Sequence, residues 1–349
     1  MELLRLSAGD DLGRRAPEMN PGARASGTLA TTWLRPRTPL RWPAPAVAVG
    51  NFDGVHRGHQ ALVEAAIAEA RARNGTAVVL TFEPHPARVL FPERAASLLM
   101  TLDQKAEVLA RLDVDRLAVL EFTRELAGHT AEEFARDILL ATLGARVVVV
   151  GSGFRFGRDR DGDAAELAAL GRRLGFDVRV VDPVVYEGER VSSTRIREAI
   201  EAGAVDLAAR LLGRDYFLDG AVTEGEGRGR TLGFPTANVN SENETLPGRG
   251  VYACWCRLLD EPPEGRSGGE GLPAAVNVGR RPTFDGERTT VEAHLLGFSG
   301  DIYGRRVRLE FVERLREERR FPGPLALREQ IQADVALTRA LLRAPSRQW

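Results

Sequence analysis

Residues 46–60 place a short apolar segment, a glycine-rich turn and a helix start directly after one another, which limits the folds open to this chain. The segment Ala46–Val49 is followed by Gly50, Gly54 and Gly58, and apolar residues then recur at helical spacing. A strand that passes through glycines into a helix is typical of a parallel α/β sheet, which binds ligands at the carboxyl edge of its strands. A helix start also offers unpaired N–H groups to an anion. The run therefore predicts a phosphate site at a sheet edge.

Two histidines, His56 and His59, stand at the start of this predicted helix. Their spacing of three places both imidazoles on one face of the first turn. We interpret them as ligands of a nucleotide phosphate; the alternatives are a metal site and a structural role without a ligand. The other histidines are His85, His129 and His294, so no further histidine lies nearby in sequence to complete a metal site.

Lysine occurs once in the chain, at position 105, and apart from the histidines every other basic residue is an arginine. A P-loop requires a lysine after its second glycine, but Lys105 stands in Leu-Asp-Gln-Lys-Ala, an ordinary helical context. The strand lysine and the His-Arg-Asp sequence of protein kinases are missing as well. If this chain uses ATP, imidazoles, arginines and backbone N–H groups must therefore hold its phosphates.

The composition excludes several classes of protein. The net charge of −1 and the pI of about 6.6 give no electrostatic signature of a nucleic-acid or membrane-surface protein. No apolar run approaches the roughly 20 residues of a membrane span, and the N-terminus lacks the apolar core of a signal peptide. We therefore expect a cytoplasmic protein without nucleic-acid or membrane partners. Cys254 and Cys256 are expected as two core or half-buried thiols rather than a metal site, because alternate residues of a strand face one side and resist a mutual disulfide, and the chain offers no partners for a metal.

Short apolar segments alternate with helical patterns between Ala46 and Leu212. We predict strands at Ala46–Val49, Ala77–Phe82, Arg116–Glu121, Arg146–Val150 and Val178–Val181. We predict helices at Gly58–Ala72, Asp103–Arg111, Ala131–Leu140, Ala164–Leu174, Ser193–Ala202 and Asp206–Leu212. Since the strands are apolar almost throughout, the sheet should be parallel and covered on both faces. Residues 46–212 are expected to form a doubly wound α/β domain, preceded by a poorly ordered extension and lead-in over residues 1–45.

The pattern changes at Gly213, where short β-like runs separated by glycine and proline begin. The runs are Tyr216–Thr223, Val251–Leu259, Ala274–Val278, Thr289–Leu296 and Arg306–Phe311. This rhythm predicts a small antiparallel β-barrel, with a flexible hairpin loop at Pro262–Pro273. An amphipathic helix is expected from about Leu325 to Leu342. We assign residues 213–349 to this second domain.

Two further loops of the first domain follow predicted strands at the same sheet edge. Pro84 and Pro86 make a rigid loop, which either forms a simple turn or walls a ligand pocket. Phe154 and Phe156 flank an arginine in a glycine-rich loop and suit stacking on a flat ring. The alternative is that one of these rings fills the core.

The segment Val191–Arg197 precedes a predicted helix. Ser192 or Ser193 is an ordinary N-cap candidate. The same segment also offers hydroxyls, N–H groups and Arg197 to a triphosphate. We favour the phosphate interpretation because the histidine pair is predicted in the same domain.

The second domain begins with glycines and oxygen-bearing side chains. Segment 223–238 includes Gly227 and Gly229, which are typical of a flexible loop that closes on phosphates. Thr236 and Asn238 then offer a hydroxyl and an amide oxygen, which suit Mg²⁺ when waters and phosphates complete its coordination.

Glu292 lies in the alternating run Thr289–Leu296, so it is a carboxylate on a strand. We interpret it as a candidate general base. The alternative is an ordinary exposed strand glutamate.

Taken together, these segments resemble the bifunctional riboflavin kinase/FAD synthetase family of bacteria. The matching segments are Gly50–His59, Thr81–Pro86, Phe154–Gly157, Ser192–Arg197, Gly229–Asn238, Gly250–Tyr252, Asn277–Thr283, Val291–Glu292, Asp301–Gly304 and Leu315–Arg316 with Phe321. The resemblance implies that the barrel transfers the γ-phosphoryl group of ATP to riboflavin, giving FMN. It also implies that the α/β domain transfers AMP from ATP to FMN, giving FAD and pyrophosphate.

The resemblance further implies roles for individual residues. The catalytic residues would be His56, His59 and Arg197 in the first domain and Glu292 in the second. The ATP-binding residues would be Gly50, Phe52, Asp53, Gly54, His56, Gly58, His59, Ser193, Thr194, Arg197, Gly227, Gly229 and Thr236. The flavin-binding residues would be Pro84, Pro86, Phe154, Phe156, Gly233 and Arg316. Mg²⁺ would be held by Thr236 and Asn238.

One position departs from the family pattern, because Gly153 stands where Asp or Asn is common. Either a polar contact to the flavin or a neighbouring loop is missing, or Gly153 meets a need for a positive φ. Two other functions therefore stay open: a riboflavin kinase whose adenylyl-transfer half is impaired, and a non-catalytic flavin-binding or flavin-sensing protein. The sequence makes no prediction of oligomeric state.

Overall fold

Six parallel strands form the main sheet of the first half of the chain. The computed structural model describes residues 29–224, 233–260, 271–283 and 286–343, of which 281–283 and 286–288 are described by their backbone alone. The strands of this half are β1 Thr31–Leu34, β2 Ala46–Val49, β3 Ala77–Glu83, β4 Arg116–Glu121, β5 Val147–Gly151, β6 Arg155–Phe156, β7 Gly162–Asp163, β8 Asp177–Val181, β9 Val185–Tyr186 and β10 Glu189–Arg190. The main sheet has the order β1-β4-β3-β2-β5-β8, with every neighbouring pair parallel. The predicted doubly wound sheet is confirmed.

Strand β1 is missing from the sequence prediction. Thr31 pairs with Leu117 and Leu34 pairs with Leu120, so the segment forms one edge of the sheet beside β4. Only Leu34 of this strand is buried, and its apolar signal is correspondingly weak. The interpretation of residues 29–45 as a poorly ordered lead-in is therefore wrong. Residues 1–28 lie outside the described part of the chain.

Helices cover both faces of this sheet. They are α1 Arg57–Ala72, α2 Pro86–Leu90, α3 Leu102–Ala110, α4 Arg124–Ala127, α5 Ala131–Glu133, α6 Ala164–Leu174, α7 Ser193–Glu201 and α8 Val205–Leu212. A π-helical segment, Phe134–Thr142, continues α5. Val47 and Val49 pack into a core with this segment and α6, whereas Ala46 and Ala48 pack into a second core with α1. The central strands are thus buried on both sides, as their apolar sequences predict, whereas the edge strands β1 and β8 are more exposed.

A closed antiparallel barrel forms the second half. Its strands are β11 Tyr216–Thr223, β12 Ala237–Ser241, β13 Gly250–Leu258, β14 Leu272–Thr283, β15 Gly286–Leu295 and β16 Arg306–Arg316, in the order β11-β12-β15-β14-β13-β16. The predicted barrel is confirmed. The sequence prediction lacks β12. It also makes β14, β15 and β16 too short, because these strands continue into polar residues. Most of the predicted loop Pro262–Pro273 lies outside the described residues, and its last two residues belong to β14.

The barrel is filled by apolar side chains, and a C-terminal helix packs against its outer surface. Cys254 and Cys256 are buried and unpaired, which confirms the two expected core thiols. Burial raises the pKa of Cys256 to about 12, so this thiol stays protonated near pH 7. Helix α9, Pro324–Leu342, packs Leu342 against Ala253 and Val312.

A buried polar interface around α3 joins the two halves. Gln104 Nε2 donates to Asp219 Oδ2 at 2.9 Å and to Asn243 Oδ1 at 2.8 Å. The Arg308 guanidinium donates to Asp219 at 2.7 Å and to Glu107 at 2.6 Å. Helix α3 therefore belongs to the sheet domain but is held by side chains of the barrel.

Candidate active sites

His56 caps the N-terminus of α1. The helix begins at Arg57, one residue before the predicted start at Gly58, and His56 is its N-cap. Nδ1 of His56 accepts a hydrogen bond from the backbone N–H of His59 at 3.2 Å. The two imidazole rings stack with their centroids 3.6 Å apart and their planes 13° apart. The pair therefore shares one face of the first turn, as the spacing predicts.

Both imidazoles are neutral near pH 7. Burial lowers the pKa of His56 to about 4, and it also lowers the pKa of His59, on which nearby positive charges act in the same direction. Because Nδ1 of His56 accepts the capping hydrogen bond, its proton lies on Nε2, from which it can be donated to a phosphate oxygen. Nδ1 of His59 is buried and has no partner among the described residues, as expected of an atom that meets a ligand.

Two glycines of the turn allow a close approach that a side chain would prevent. Gly54 has a φ of +85°, and a Cβ there would lie 2.7 Å from the Leu99 side chain. A Cβ on Gly58 would lie 3.2 Å from the His56 ring and 3.7 Å from the carbonyl oxygen of Val191. Since Val191 directly precedes the N-cap of α7, the starts of α1 and α7 lie side by side. The site therefore receives the positive ends of two helices.

The start of α7 is bonded to the histidine turn. Ser192 is the N-cap, with Oγ accepting a backbone N–H of the first turn at 3.3 Å. Ser193 Oγ donates to the carbonyl oxygen of Asp53 at 2.8 Å. Arg197 donates to Asp53 Oδ2 at 3.0 Å and to the carbonyl oxygen of Ser97 at 2.6 Å. The two predicted ATP-binding segments therefore form one connected frame.

Asp53 and Arg197 form a buried ion pair within this frame. Their side chains are 5% and 13% exposed, and Asp53 Oδ1 also accepts the backbone N–H of Leu99 at 2.9 Å. Burial raises the pKa of Asp53, against the opposing effects of that N–H group and Arg197. These contacts position the turn. The triphosphate contacts expected of Arg197, and of the exposed Thr194 at the start of α7, stay predictions.

Two arginines that the sequence analysis does not single out also reach the turn. Arg214 donates to the carbonyl oxygen of Gly54 at 2.7 Å and to that of Val55 at 3.2 Å. Arg190, in β10, lies close enough for its charge to add to the effect of burial in lowering the pKa of both histidines. No local signal marks either arginine, because arginine is common in this chain and their contacts are distant in sequence.

Lys105 lies on a helix, as the sequence predicts, but its side chain is buried and bonds to the histidine turn, which the sequence analysis does not foresee. The residue is 6% exposed, and its Nζ donates to the carbonyl oxygen of Asn51 at 2.9 Å and to Thr81 Oγ1 at 3.2 Å. Asn51 belongs to the histidine turn, and Thr81 stands near the end of β3. The sequence signal that could have drawn attention to Lys105 is its uniqueness.

The loop after β5 places its two phenylalanines differently. Phe156 is buried, with its ring centroid 5.8 Å from that of Phe134, so it fills the core. Phe154 is half-buried and stacks on Phe156 with centroids 5.3 Å apart. Phe154 is therefore the ring of this loop that remains available to a flavin, and the contact itself stays a prediction.

Gly153 precedes this ring and has no positive φ, so the interpretation that the position requires one is wrong. A Cβ at Gly153 would lie 3.1 Å from a terminal nitrogen of Arg190. Because the end of a flexible side chain can move by a few tenths of an ångström, the position can accept a side chain. An acidic or amide group there would stand beside Arg190.

Pro84 and Pro86 follow β3 and are both half-buried. The expected rigid loop is partly helical, since Pro86 begins α2. His85 is the N-cap of α2, with Nδ1 accepting the backbone N–H of Ala87 at 3.2 Å. Burial lowers the pKa of His85 to about 4. The flavin contacts of the two prolines stay predictions.

Strand register brings three polar residues of the barrel side by side. Asn238 on β12 stands opposite Glu292 on β15, which stands opposite Asn277 on β14. All three are half-buried, and they alternate with residues buried inside the barrel, such as Val239 and Val291. They therefore share the outer face of the barrel. Glu292 is a strand carboxylate, as the alternation predicts.

The oxygen donors of this face suit Mg²⁺. Thr236 lies two residues before Asn238, and a hydroxyl and an amide oxygen beside the Glu292 carboxylate are the ligand types that this ion accepts. In the described ranges no three His, Cys, Asp or Glu side chains are grouped to hold a metal, but a site completed by waters and phosphates does not require such a group. Gly227 and Gly229 lie outside the described residues, and Gly233 has a φ of +86°.

Arg316, at the end of β16, is turned towards α9. It forms an ion pair with Asp334 at 2.8 Å, and its guanidinium lies 5.6 Å from the centroid of the Phe321 ring. The expected contact between Arg316 and a flavin stays a prediction.

Comparison with known proteins gives the same division of the chain. The model of the FAD synthetase family matches residues 40–195, and the model of the riboflavin kinase family matches residues 212–342. A bifunctional riboflavin kinase/FMN adenylyltransferase from Pseudomonas fluorescens is 42% identical over 299 residues, covering 85% of this chain and 93% of the relative. That of Escherichia coli K12 is 38% identical over 288 residues, covering 82% and 90%. The chain belongs to this bifunctional family.

A solved structure shows that the arrangement of the whole chain also recurs. A protein from Streptococcus pneumoniae, described as a macrolide-efflux protein, superposes on this family member with a TM-score of 0.80 and 32% identity. The match covers 89% of this chain and 99% of that chain. Over the residues that the structure describes, no helix is both long and apolar enough to cross a bilayer.

Proposed function

We propose that this chain converts riboflavin to FMN and FMN to FAD, using ATP in both steps. The observation that carries the proposal is the presence, in one chain, of two separate groups of residues whose chemistry suits phosphate or Mg²⁺ binding. One is the stacked histidine pair beside two helix starts, and the other is the Asn238–Glu292 face of the barrel. Relatives that are 36–42% identical are named for both activities.

Riboflavin phosphorylation is assigned to the barrel, residues 213–349. The 5′-hydroxyl of riboflavin attacks the γ-phosphorus of ATP, and ADP leaves. Glu292 would accept the hydroxyl proton, since a carboxylate held on a strand is a suitable general base. Mg²⁺ held by Thr236 and Asn238 would supply positive charge to the transferring phosphoryl group.

Adenylyl transfer is assigned to the sheet domain, up to residue 212. A phosphate oxygen of FMN attacks the α-phosphorus of ATP, and pyrophosphate leaves. Neutral His56 and His59 would donate hydrogen bonds to the phosphate oxygens on which charge develops. The starts of α1 and α7, with Ser193 and Thr194, would hold the remaining phosphates through N–H and hydroxyl groups. Phe154 would lie beside the flavin ring.

The test is incubation of the purified protein with riboflavin, Mg²⁺ and ATP, followed by separation of the flavins. FMN and FAD together support the proposal. FMN alone supports a kinase with an impaired adenylyl-transfer half, for which the departure at Gly153 is the specific argument. Neither product, with flavin bound, supports a binding or sensing protein. Cytoplasmic location and the absence of nucleic-acid and membrane partners stay predictions from the sequence.

A further inference from the structure

The single lysine of the chain is buried between two segments of the adenylyl-transfer site. Its Nζ donates to Asn51 O at 2.9 Å and to Thr81 Oγ1 at 3.2 Å, and Thr81 Oγ1 itself donates to Asn51 O at 3.0 Å. The three groups form a closed triangle beneath the histidine turn. The turn is therefore fixed to the end of β3 through the Lys105 side chain.

The surroundings of Lys105 are unusual for a buried cation. Burying an ammonium group is costly unless opposite charge compensates it. Within the described part of the chain, however, the Lys105 ammonium forms no ion pair, and its hydrogen bonds go to uncharged oxygens. Asp53 and Glu83 interact with it only through longer-range electrostatics, and burial lowers its pKa despite both carboxylates. Such a group is well placed to gain stabilisation when an anion enters the neighbouring site.

Lys105 also reaches the histidines electrostatically. Its charge acts with burial in lowering the pKa of His59 and of His85. At His59 this positive charge favours the neutral imidazole, which is the form assigned here to phosphate binding. The hydrogen bonds of Lys105 and its positive charge therefore both act on the adenylyl-transfer site.

We propose that Lys105 is a positioning residue for adenylyl transfer, which holds the Asn51 carbonyl and so sets the conformation of the histidine turn that receives the ATP phosphates. This inference rests on the proposed adenylyl transfer. It does not extend to the barrel, so phosphorylation of riboflavin should not depend on Lys105.

The neighbouring residue in α3 provides a matched control. Gln104 is also buried and also makes hydrogen bonds, but to Asp219 and Asn243 of the barrel. Lys105→Met and Gln104→Met each replace a buried polar side chain of the same helix with methionine. Lys105→Met should lower kcat for FAD formation from supplied FMN by about 10²-fold, the effect of misplacing reacting groups by roughly 1 Å. FMN formation should be preserved in this variant, and Gln104→Met should retain both activities at temperatures below its Tm.

Two results would overturn the proposal. One is that Lys105→Met forms FAD at the parental rate. The other is that both variants lose FAD formation equally and in proportion to their decrease in Tm. A parental protein that forms no FAD would instead refute the proposed function.

A measurement on the parental protein covers the case in which Lys105→Met does not fold. Because the chain has one lysine, protein labelled with ¹⁵N at lysine Nζ gives one side-chain signal that needs no assignment. That signal should shift on addition of α,β-methylene-ATP, at concentrations that inhibit FAD formation. An unchanged signal at saturating analogue would overturn the proposal, because occupation of the site would then leave the Lys105 ammonium and its contacts unaffected.

Discussion

Acid should weaken the fold through His56, and the size of the effect follows from the burial of this residue. Burial lowers the pKa of His56 to about 4 in the folded chain, whereas an unfolded histidine titrates near 6.5. A base whose pKa is lowered by folding binds its proton more readily in the unfolded state. Stability that is present above pH 6.5 is therefore lost as the pH falls towards 4. The pKa difference corresponds to roughly 3 kcal/mol in full, of which about 2 kcal/mol is lost between pH 7 and pH 5.

The variant His56→Asn isolates this titration, because asparagine can also cap a helix but does not bind a proton in this range. Urea unfolding at pH 8, 7, 6 and 5 gives the free energy of unfolding of both proteins. The variant should lose about 2 kcal/mol less than the parental protein between pH 7 and pH 5. The difference at pH 8 serves as the control, because His56 is neutral there in both states and only capping and packing differ. His59 and His85, whose pKa values are also lowered mainly by burial, are present in both proteins and contribute to both profiles. Parallel profiles would refute the reasoning.

The two activities and the departure at Gly153 give three further predictions. His59→Ala should lower the rate of FAD formation by about 10²-fold or more, through loss of one preorganised donor, while FMN formation persists; equal loss of both products would contradict the two-site assignment. Glu292→Gln should lower kcat for FMN formation by about 10²–10⁴-fold with riboflavin affinity retained, and folded variant protein working at the parental rate would exclude Glu292 as the base. Gly153→Asn should be tolerated by the fold and lower KM for FMN without changing kinase kinetics, measured by thermal unfolding and initial rates; an unchanged KM would show that the departure is neutral.

The central strands of the sheet could be predicted because their burial on both faces leaves a continuous apolar sequence. The segment around Val147–Val150 is an example, and its observed position differs by one residue from the prediction. Strand β1 could not be predicted in this way, since an edge strand with one buried residue leaves almost no pattern. Strand β12 alternates buried and polar residues over only five positions, so its pattern is also too short to predict a strand. The sequence therefore marks Asn238 as a site residue without placing it on a strand.

The site could be predicted where its geometry is local. The three-residue spacing of His56 and His59 sets their stacking, because a helix turn fixes it. The contacts of Arg214 and Lys105 with the turn join residues 160 and 54 positions apart. Such contacts depend on how complete elements pack, and no spacing in the sequence encodes them.

Helix α3 connects the barrel to the histidine turn through residues that face different ways. Gln104 and Glu107 bond to barrel side chains, whereas Lys105 bonds to the histidine turn. These three residues lie within about one turn of a single helix, which moves as a rigid unit. A shift of the barrel relative to the sheet would therefore displace the group that holds the Asn51 carbonyl. We expect the two chemistries to be separable by substitution of their own residues. The shape of the adenylyl-transfer turn still depends on the barrel through α3, and the Arg308–Glu107 ion pair should maintain this connection in Gln104→Met.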